Sequence, residues 1–293
     1  MTTLAILADI HGNLPALSAV RADLTAHVVD RVIVAGDLIN WGPCSAQVVE
    51  QVLADGWEVV RGNHELILLD YGTPRAPASW EDLDAFPIPR WLHRQIPAHL
   101  RAEIARWPDT LTIRPPDGPP LRVVHGSPRQ HSEPIYPGTD EQTLATILAG
   151  VAETTIVAAH THLPMDERIG PWHILNPGSV GMGLDGRFDA RYLLLESDGE
   201  RWHGKPRRLP YDRTPLFAEF AQLGFEEECG VIGRLVVEEF RTARPRIAPF
   251  LRWRQATAAA APFTADTLAD FQAIDPETYM PRAHRLATTG DTP

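Results

Sequence analysis

The sequence predicts an α/β fold (α+β by some schemes) organised on parallel strands, and three observations carry that expectation. Apolar, often β-branched runs alternate with segments bearing a helical stripe across the first 61 residues, a pattern that argues for strands joined by crossover helices. The runs are apolar on both faces, as strands buried in a parallel or mixed sheet are. Five of them stop at polar residues of one chemical kind: Asp9-Ile10-His11, Gly36-Asp37, Gly62-Asn63-His64, His125-Gly126 and His160-Thr161-His162. Carboxylate, amide and imidazole delivered repeatedly to strand ends point to one edge, where open α/β sheets hold their ligands.

Taken in order, Thr3 to Ala8 is the first strand. Asn13 is placed to cap, and Pro15 to begin, a helix running to about Ala26, with Leu17, Val20, Ala22 and Leu24 available for its buried face. Val32 to Ala35 is the second strand, Ser45 to Leu53 carries the stripe of a second helix, and Glu58 to Arg61 is the third strand. From Asp70 to Asp109 the composition changes: Tyr71, Trp80, Trp91 and Trp107 are spread among six prolines, with short helical pieces such as Ala98 to Trp107. Residues 70–109 read as a cap inserted over the strand ends, or else as a packed connector. Leu111 to Arg114 and Leu121 to Val124 are strands flanking the turn-forming Pro115-Pro116-Asp117-Gly118-Pro119. A helix over Thr143 to Ala149, strands over Thr155 to Ala159 and Trp172 to Leu175, and a hairpin of Arg191 to Glu196 with Arg201 to Leu209 follow. Beyond Tyr211 the periodicity is helical: Leu216, Phe220 and Leu223 form one stripe, and Ile232, Leu235, Val236 and Phe240 a second, broken by Glu239. Pro281 to Pro293 has the composition of a terminal tail. The expected division is a domain over residues 1–211 and a helical extension over 212–293, whose amphipathic helices dock on the domain or pair two copies of the chain.

A formal net charge of −11 over 293 residues argues against an extended nucleic-acid surface, which would concentrate Lys and Arg. It is compatible with a small phosphorylated substrate, because bound divalent cations invert the local sign of a carboxylate-lined site. Cys44 and Cys229, the two cysteines, supply neither a disulfide framework nor a thiolate metal site. The apolar start is too short for a signal sequence, and no run approaches the roughly 20 residues that span a bilayer. No membrane association and a reducing cytoplasm are therefore expected.

A lone Asp-x-His triplet is expected by chance about once in a chain of this composition. Five such blocks, each closing an apolar run, are not. Imidazole and carboxylate without thiolate suit Mn, Fe, Zn, Ni or Co, and a carboxylate can bridge two ions with its two oxygens. The blocks, in this order, resemble the five signature blocks of the calcineurin-like metallophosphoesterase superfamily over roughly Met1 to Tyr211. The stretches Gly36 to Pro43, His125 to Arg129 and Asn176 to Gly181 are most similar to its small bacterial phosphodiesterase and phosphatase members.

The resemblance implies a four-layer sandwich of two mixed β-sheets flanked by helices, and a site that takes two divalent transition-metal ions, with manganese favoured. It implies Asp9, His11 and His162 on one ion, Asn63, His125 and His160 on the other, and Asp37 between them. His64 would serve the leaving-group oxygen as general acid or transition-state stabiliser, with a metal-bridging hydroxide attacking in line. Asn13 and Trp41 are candidates for substrate binding. Of the other histidines, His27, His93, His99, His131, His173, His203 and His284 read as surface or packing residues, with His131 and His93 kept as candidates for lining the pocket. Relatives that act on phosphoproteins or dinucleotide polyphosphates carry Asp-Arg where this chain has Asn40-Trp41, and an indole cannot replace the phosphate-binding fork of Arg. A phosphodiester or small nucleotide-type ester is therefore expected ahead of a phosphomonoester. The alternatives are a phosphomonoesterase or protein phosphatase of the same superfamily, or a catalytically silent metal-binding scaffold.

Overall fold

The computed structural model describes residues 1–257 and 261–289. β1 (Thr3–Leu7), α1 (Leu14–Leu24), β2 (Arg31–Val34), α2 (Ser45–Ala54) and β3 (Glu58–Val59) follow the expected alternation. Helices come next: α3 (Asn63–Asp70), a 3₁₀ turn (Ala78–Glu81), α4 (Pro87–Gln95) and α5 (Ala98–Ile104). β4 (Thr110–Ile113) and β5 (Leu121–Val124) lead through α6 (Glu141–Ile147) to β6 (Thr155–Ala158), β7 (Met165–Ile169) and β8 (Trp172–Asn176). β9 (Ala190–Ser197) and β10 (Trp202–Leu209) make the closing hairpin. The C-terminal segment holds α7 (Thr214–Gln222), α8 (Phe225–Thr242), α9 (Ile247–Thr257), α10 (Ala265–Gln272), a 3₁₀ turn (Pro276–Tyr279) and α11 (Arg282–Thr289).

The strands form two mixed five-stranded sheets, ordered β10-β9-β1-β2-β3 and β4-β5-β6-β8-β7. Each is parallel at its centre, β1 with β2 and β3 in one, β5 with β6 and β8 in the other, and antiparallel towards one or both edges. Alternation along the strands sorts the apolar side chains into layers. Leu4, Ile6, Ile33, Val123, Val157 and Leu175 meet between the sheets. Ala5, Leu7 and Val34 face α1, α2 and the C-terminal helices on one outer side. Val124, Ile156 and Ala158 pack on α6 on the other. The result is the four-layer sandwich expected. Asn13 caps α1 by accepting from Ala16 N–H, as the sequence indicated.

One strand was not predicted. β7 reads Met-Asp-Glu-Arg-Ile, and its three charges suit a loop, but it is an edge strand with Asp166 and Arg168 turned to solvent. α3 was also missed, because it starts on Asn63-His64 and carries little periodicity. The last helix replaces part of the expected tail: α11 covers 282–289, and the rest of that stretch, 290–293, lies outside the described residues.

The C-terminal helices share one continuous apolar core with the sheet-facing helices. Phe225 is fully buried, with the Trp91 ring of α4 edge-on at 4.8 Å and Phe220 at 5.1 Å. α8 is kinked at Gly230, whose φ of 55° and ψ of −133° no helical residue adopts. Glu239, the polar break in the α8 stripe, is buried and accepts from the N–H groups of Arg246 and Ile247, so it caps the start of α9. No helix among the described residues is long and apolar enough to cross a membrane.

Removing the Phe225 ring in Phe225→Ala should cost about 3–5 kcal/mol of stability in urea denaturation; a cost near zero would mean the extension is not part of the core. Burial pushes the Glu239 carboxyl up from 4.5 to about 7, outweighing the two N–H donors. The stability this supplies is complete below about pH 4.5 and is lost as pH rises through about 7. Glu239→Gln keeps the cap and removes the charge, so its stability relative to wild type should improve by up to about 3 kcal/mol between about pH 5 and about pH 8. A difference that stays flat over that range in thermal denaturation would contradict the assignment.

Candidate metal centre

The strand ends turn sharply to bring their side chains to one point. Asp9, His11, Asp37, Asn40, Trp41, His160 and His162 all have left-handed backbones, with φ between 47° and 71°. Among the described residues the one other non-glycine with positive φ is Ala243, which ends α8. Each such residue costs on the order of 1–3 kcal/mol and persists where surrounding contacts over-determine it. Here the contacts run between loops: Asp9 N–H donates to Gly36 O (3.1 Å), His11 N–H to Asp37 O (3.0 Å), Gly12 N–H to Leu38 O (2.8 Å) and Gly181 N–H to Asp9 O (3.0 Å). The loops approach so closely that a Cβ on Gly62 would lie 2.1 Å from Asp37 Oδ1.

The seven residues expected as metal ligands converge. Ligand atoms of Asp9, His11 and His162 lie within 4.8 Å of one another, as do those of Asp37, His125 and His160. Asn63 joins the second group, its Oδ1 standing 3.0 Å from His125 Nε2. Three imidazoles are held by Nδ1–H donation to backbone carbonyls: His11 to Ile39 O (3.3 Å), His125 to Ala35 O (2.8 Å) and His162 to Met182 O (2.5 Å). Those partners assign the tautomer of His11 and His162 and leave each Nε2 as a lone pair pointing inward; His125 Nε2 instead meets two acceptors, Asn63 Oδ1 at 3.0 Å and Asp37 Oδ2 at 3.1 Å, and carries a proton without an ion.

The inward atoms do not satisfy each other. His11 Nε2 and His162 Nε2 face at 3.2 Å with no proton between them. Both oxygens of Asp9 are fully buried and without a hydrogen-bond partner. Buried polar groups are rarely left so, because the cost of an unpaired buried carboxylate is large. A cation between these donors removes both conflicts, so the residues fit the divalent ions that the fold family implies.

Protonation follows from the same crowding. Burial pushes His11 down, His160 to about 3 and His162 to about 4, leaving them neutral and available as ligands, and it lowers His64 as well, which keeps that ring a neutral donor. Burial acts the same way on His125, but Asp37 and Asp9 outweigh it and hold that ring up at about 9. Burial raises Asp9 well above the usual carboxylate range; against the same burial, the charge of His125 and its hydrogen bond keep Asp37 well below it.

Three supporting groups escaped the sequence reading. Glu65, fully buried on α3, accepts from Asp37 N–H (2.9 Å), Leu38 N–H (2.9 Å) and Gly62 N–H (2.7 Å), stapling the Asp37 turn to the Gly62 turn. Its position, three residues after Gly62 in a Gly-x-x-Glu run, is the signal that could have found it. Ser179 donates to Asp9 O and accepts from Met182 N–H. Asn40 accepts from Trp41 N–H on Oδ1, which turns its NH₂ to His64 Nδ1 at 2.6 Å. His64 therefore carries its proton on Nε2, 3.8 Å from Asp37 Oδ2.

Other sequence expectations need correction. Asn13 does not face substrate: it is fully buried, its oxygen caps α1 and its NH₂ donates to Gly181 O and Tyr211 Oη. His131 pairs with Asp109 and His93 stacks near Tyr71, and neither lines the cavity beside the cluster. His284, expected at the surface or in packing, does line it, together with Trp41.

Glu65→Gln would turn an NH₂ group towards N–H donors. It should lower stability by about 1–3 kcal/mol and also loosen divalent-ion binding measured by calorimetry; unchanged ion affinity would show that the staple does not set the position of Asp37.

A family model described as the calcineurin-like phosphoesterase superfamily domain matches residues 2–200. A curated relative, an uncharacterized protein of Methanocaldococcus jannaschii, is 25% identical over 217 residues, which is 66% of this chain and 82% of the relative. A solved metallophosphoesterase from Sphaerobacter thermophilus superposes with a TM-score of 0.63 at 24% identity, over 83% of this chain and 99% of its own. A hypothetical protein from Pyrococcus horikoshii gives 0.70 at 20% identity, over 84% and 100%. The two structures share the fold, and the family match spans every one of the five strand-end blocks. The chain belongs to the calcineurin-like phosphoesterase superfamily.

Proposed function

We propose that the chain is a divalent-metal-dependent phosphodiesterase, with Asp9, His11 and His162 holding one ion, Asn63, His125 and His160 the other, and Asp37 reaching both. The observation that carries this reading is the buried carboxylate of Asp9, without a hydrogen-bond partner and 3.5 Å from His162 Nε2, beside two opposed imidazole lone pairs. Two such ions, manganese foremost among the metals that suit N/O donors, would supply positive charge for a phosphoryl group and a water acidic enough to act as nucleophile near neutral pH.

The chain's own residues supply the rest. His64 presents Nε2–H at the edge of the cluster, fixed by Asn40, and is placed to give a hydrogen bond or proton to a departing ester oxygen. Because Asn40 is an amide donating to Nδ1, a second proton on the ring would meet an N–H group, so His64 is held as a neutral donor. Trp41, 5.0 Å from the His64 ring, occupies the place where relatives carry an arginine fork. Among the described residues no Arg or Lys lines the cavity beside the cluster. A phosphodiester presents one negative charge, and a phosphomonoester up to two, so the absence of a cationic clamp favours the diester.

Turnover of bis-para-nitrophenyl phosphate should exceed that of para-nitrophenyl phosphate across Mn, Ni, Co, Zn and Mg, and a consistent reverse order would overturn the diesterase reading. Asp37→Asn should abolish turnover and leave fewer than two metals per chain by elemental analysis. His64→Ala should retain its metals while kcat falls about 100- to 10,000-fold; full activity in either variant would refute the roles given.

A further inference from the structure

Two cavities meet at Trp41. The first, about 360 Å³, runs from His160 and His162 under Met182 and Leu184 to Ala248, Met280 and His284 of the C-terminal segment. The second, about 190 Å³, starts at Asn40 and runs between Trp80, Phe86 and Ile88 on one side and Ile232 on the other. Both share Trp41, Ile247 and Leu251 as a common wall. One cavity therefore opens on the metal-facing histidines and the other on the residue that holds His64. Most of their walls come from residues 70–109 and from beyond residue 230, the latter outside the family match at 2–200.

Charge is nearly missing from both. Among the described residues neither cavity is lined by Arg or Lys. The titratable side chains of the first, apart from the cluster histidines and Tyr136, are Glu239 and His284. One Glu239 oxygen is spent on the N–H groups that start α9. Burial pushes His284 down to about 4, so it is neutral at physiological pH. Leu251, at the shared wall, is 38% exposed, an apolar side chain left open to whatever enters. Apart from Arg252, whose charge reaches Tyr136 and His284 without lining the cavity, a second phosphate or a carboxylate on the substrate would find no counter-charge in these walls and would have to shed its water without compensation. An aliphatic or aromatic group would bury surface at no such cost.

Building on the diesterase reading, we propose that the substrate is a phosphodiester whose two ester arms are both uncharged and apolar, one seated on each side of Trp41. The reaction consumes one water: its oxygen bonds to phosphorus, the bond from phosphorus to one ester oxygen breaks, and that arm leaves as a neutral alcohol. The other arm stays on the product, a phosphomonoester. The extension past residue 230 and the 70–109 segment are thereby the parts of the chain that select the ester.

The test is calorimetric binding of dimethyl, dibutyl, diphenyl and bis(4-carboxyphenyl) phosphate to the manganese-loaded full chain, with turnover of bis-para-nitrophenyl phosphate measured alongside. Diphenyl phosphate should bind at least about 100-fold tighter than dimethyl phosphate, and the dicarboxylate no tighter than dimethyl. Ala248→Arg, at an exposed position of α9 facing the first cavity, and Trp80→Ala, in the second, should each cut the diphenyl-to-dimethyl preference about tenfold. Ala248→Arg should also tighten the dicarboxylate, a gain that misfolding cannot mimic. Equal binding of dimethyl and diphenyl phosphate by a chain that hydrolyses the bis-para-nitrophenyl ester overturns this proposal alone. Absence of that hydrolysis with every metal overturns the diesterase reading and this proposal with it.

Discussion

The Nε2 lone pairs of His11 and His162, opposed at 3.2 Å beside the partnerless carboxylate of Asp9, repel one another, and the rest of the molecule works against that repulsion. The means are local and rigid. Parallel strands at the centre of each sheet end at the same side, backbone carbonyls fix the far nitrogen of three rings, and Glu65 binds the two turns that carry Asp37 and Gly62. The left-handed residues are the cost of this arrangement, spread over the three turns after β1, β2 and β6 so that no single one bears it. A fold that holds its polar centre this way is prepared for a cation before one arrives, so little reorganisation accompanies binding.

Much of this was legible in the sequence because buried parallel strands are written as uninterrupted apolar runs, and their ends are marked by the residues that follow. β1, β2, β5 and β6 announced themselves in that way, and with them Asp9, Asp37, His125 and His160. What escaped has a common physical cause. β7 is an edge strand with one face in water, so its charges obscured it. α3 begins inside the site and is set by Glu65 rather than by an apolar stripe. Asn13 looked like a ligand-facing amide as well as a cap, but two of its three hydrogen bonds go to Gly181 and Tyr211, which only folding brings near. His284 read as a surface or packing residue, and its place in the cavity wall depends on where the last helices lie.

The chain separates two tasks along its length. The groups that would hold ions and move a proton lie between Asp9 and His162, on strand ends whose positions follow from sheet register. The surfaces that enclose the space beside them come largely from segments laid over the sandwich afterwards, joined to it by one apolar core that runs from Leu7 through Trp91 and Phe225 to Phe271. Glu239 joins the two tasks: it interrupts a stripe of core residues, caps α9 and borders the cavity that α9 covers.

The sheet edges carry a consequence for the life of the protein without its ions. β10 is an outer strand that contains Pro206, which donates no hydrogen bond, among Lys205, Arg207 and Arg208; β7, outermost in the other sheet, is acidic and basic by turns; β3 is two residues long. None of these three offers a neighbouring molecule a row of free amides on an apolar ribbon, whereas β4, the fourth edge, is short but uncharged and β-branched. Three of the four sheet edges are therefore closed to edge-to-edge pairing whether or not the centre holds its ions, which leaves β4 as the edge where such pairing would start.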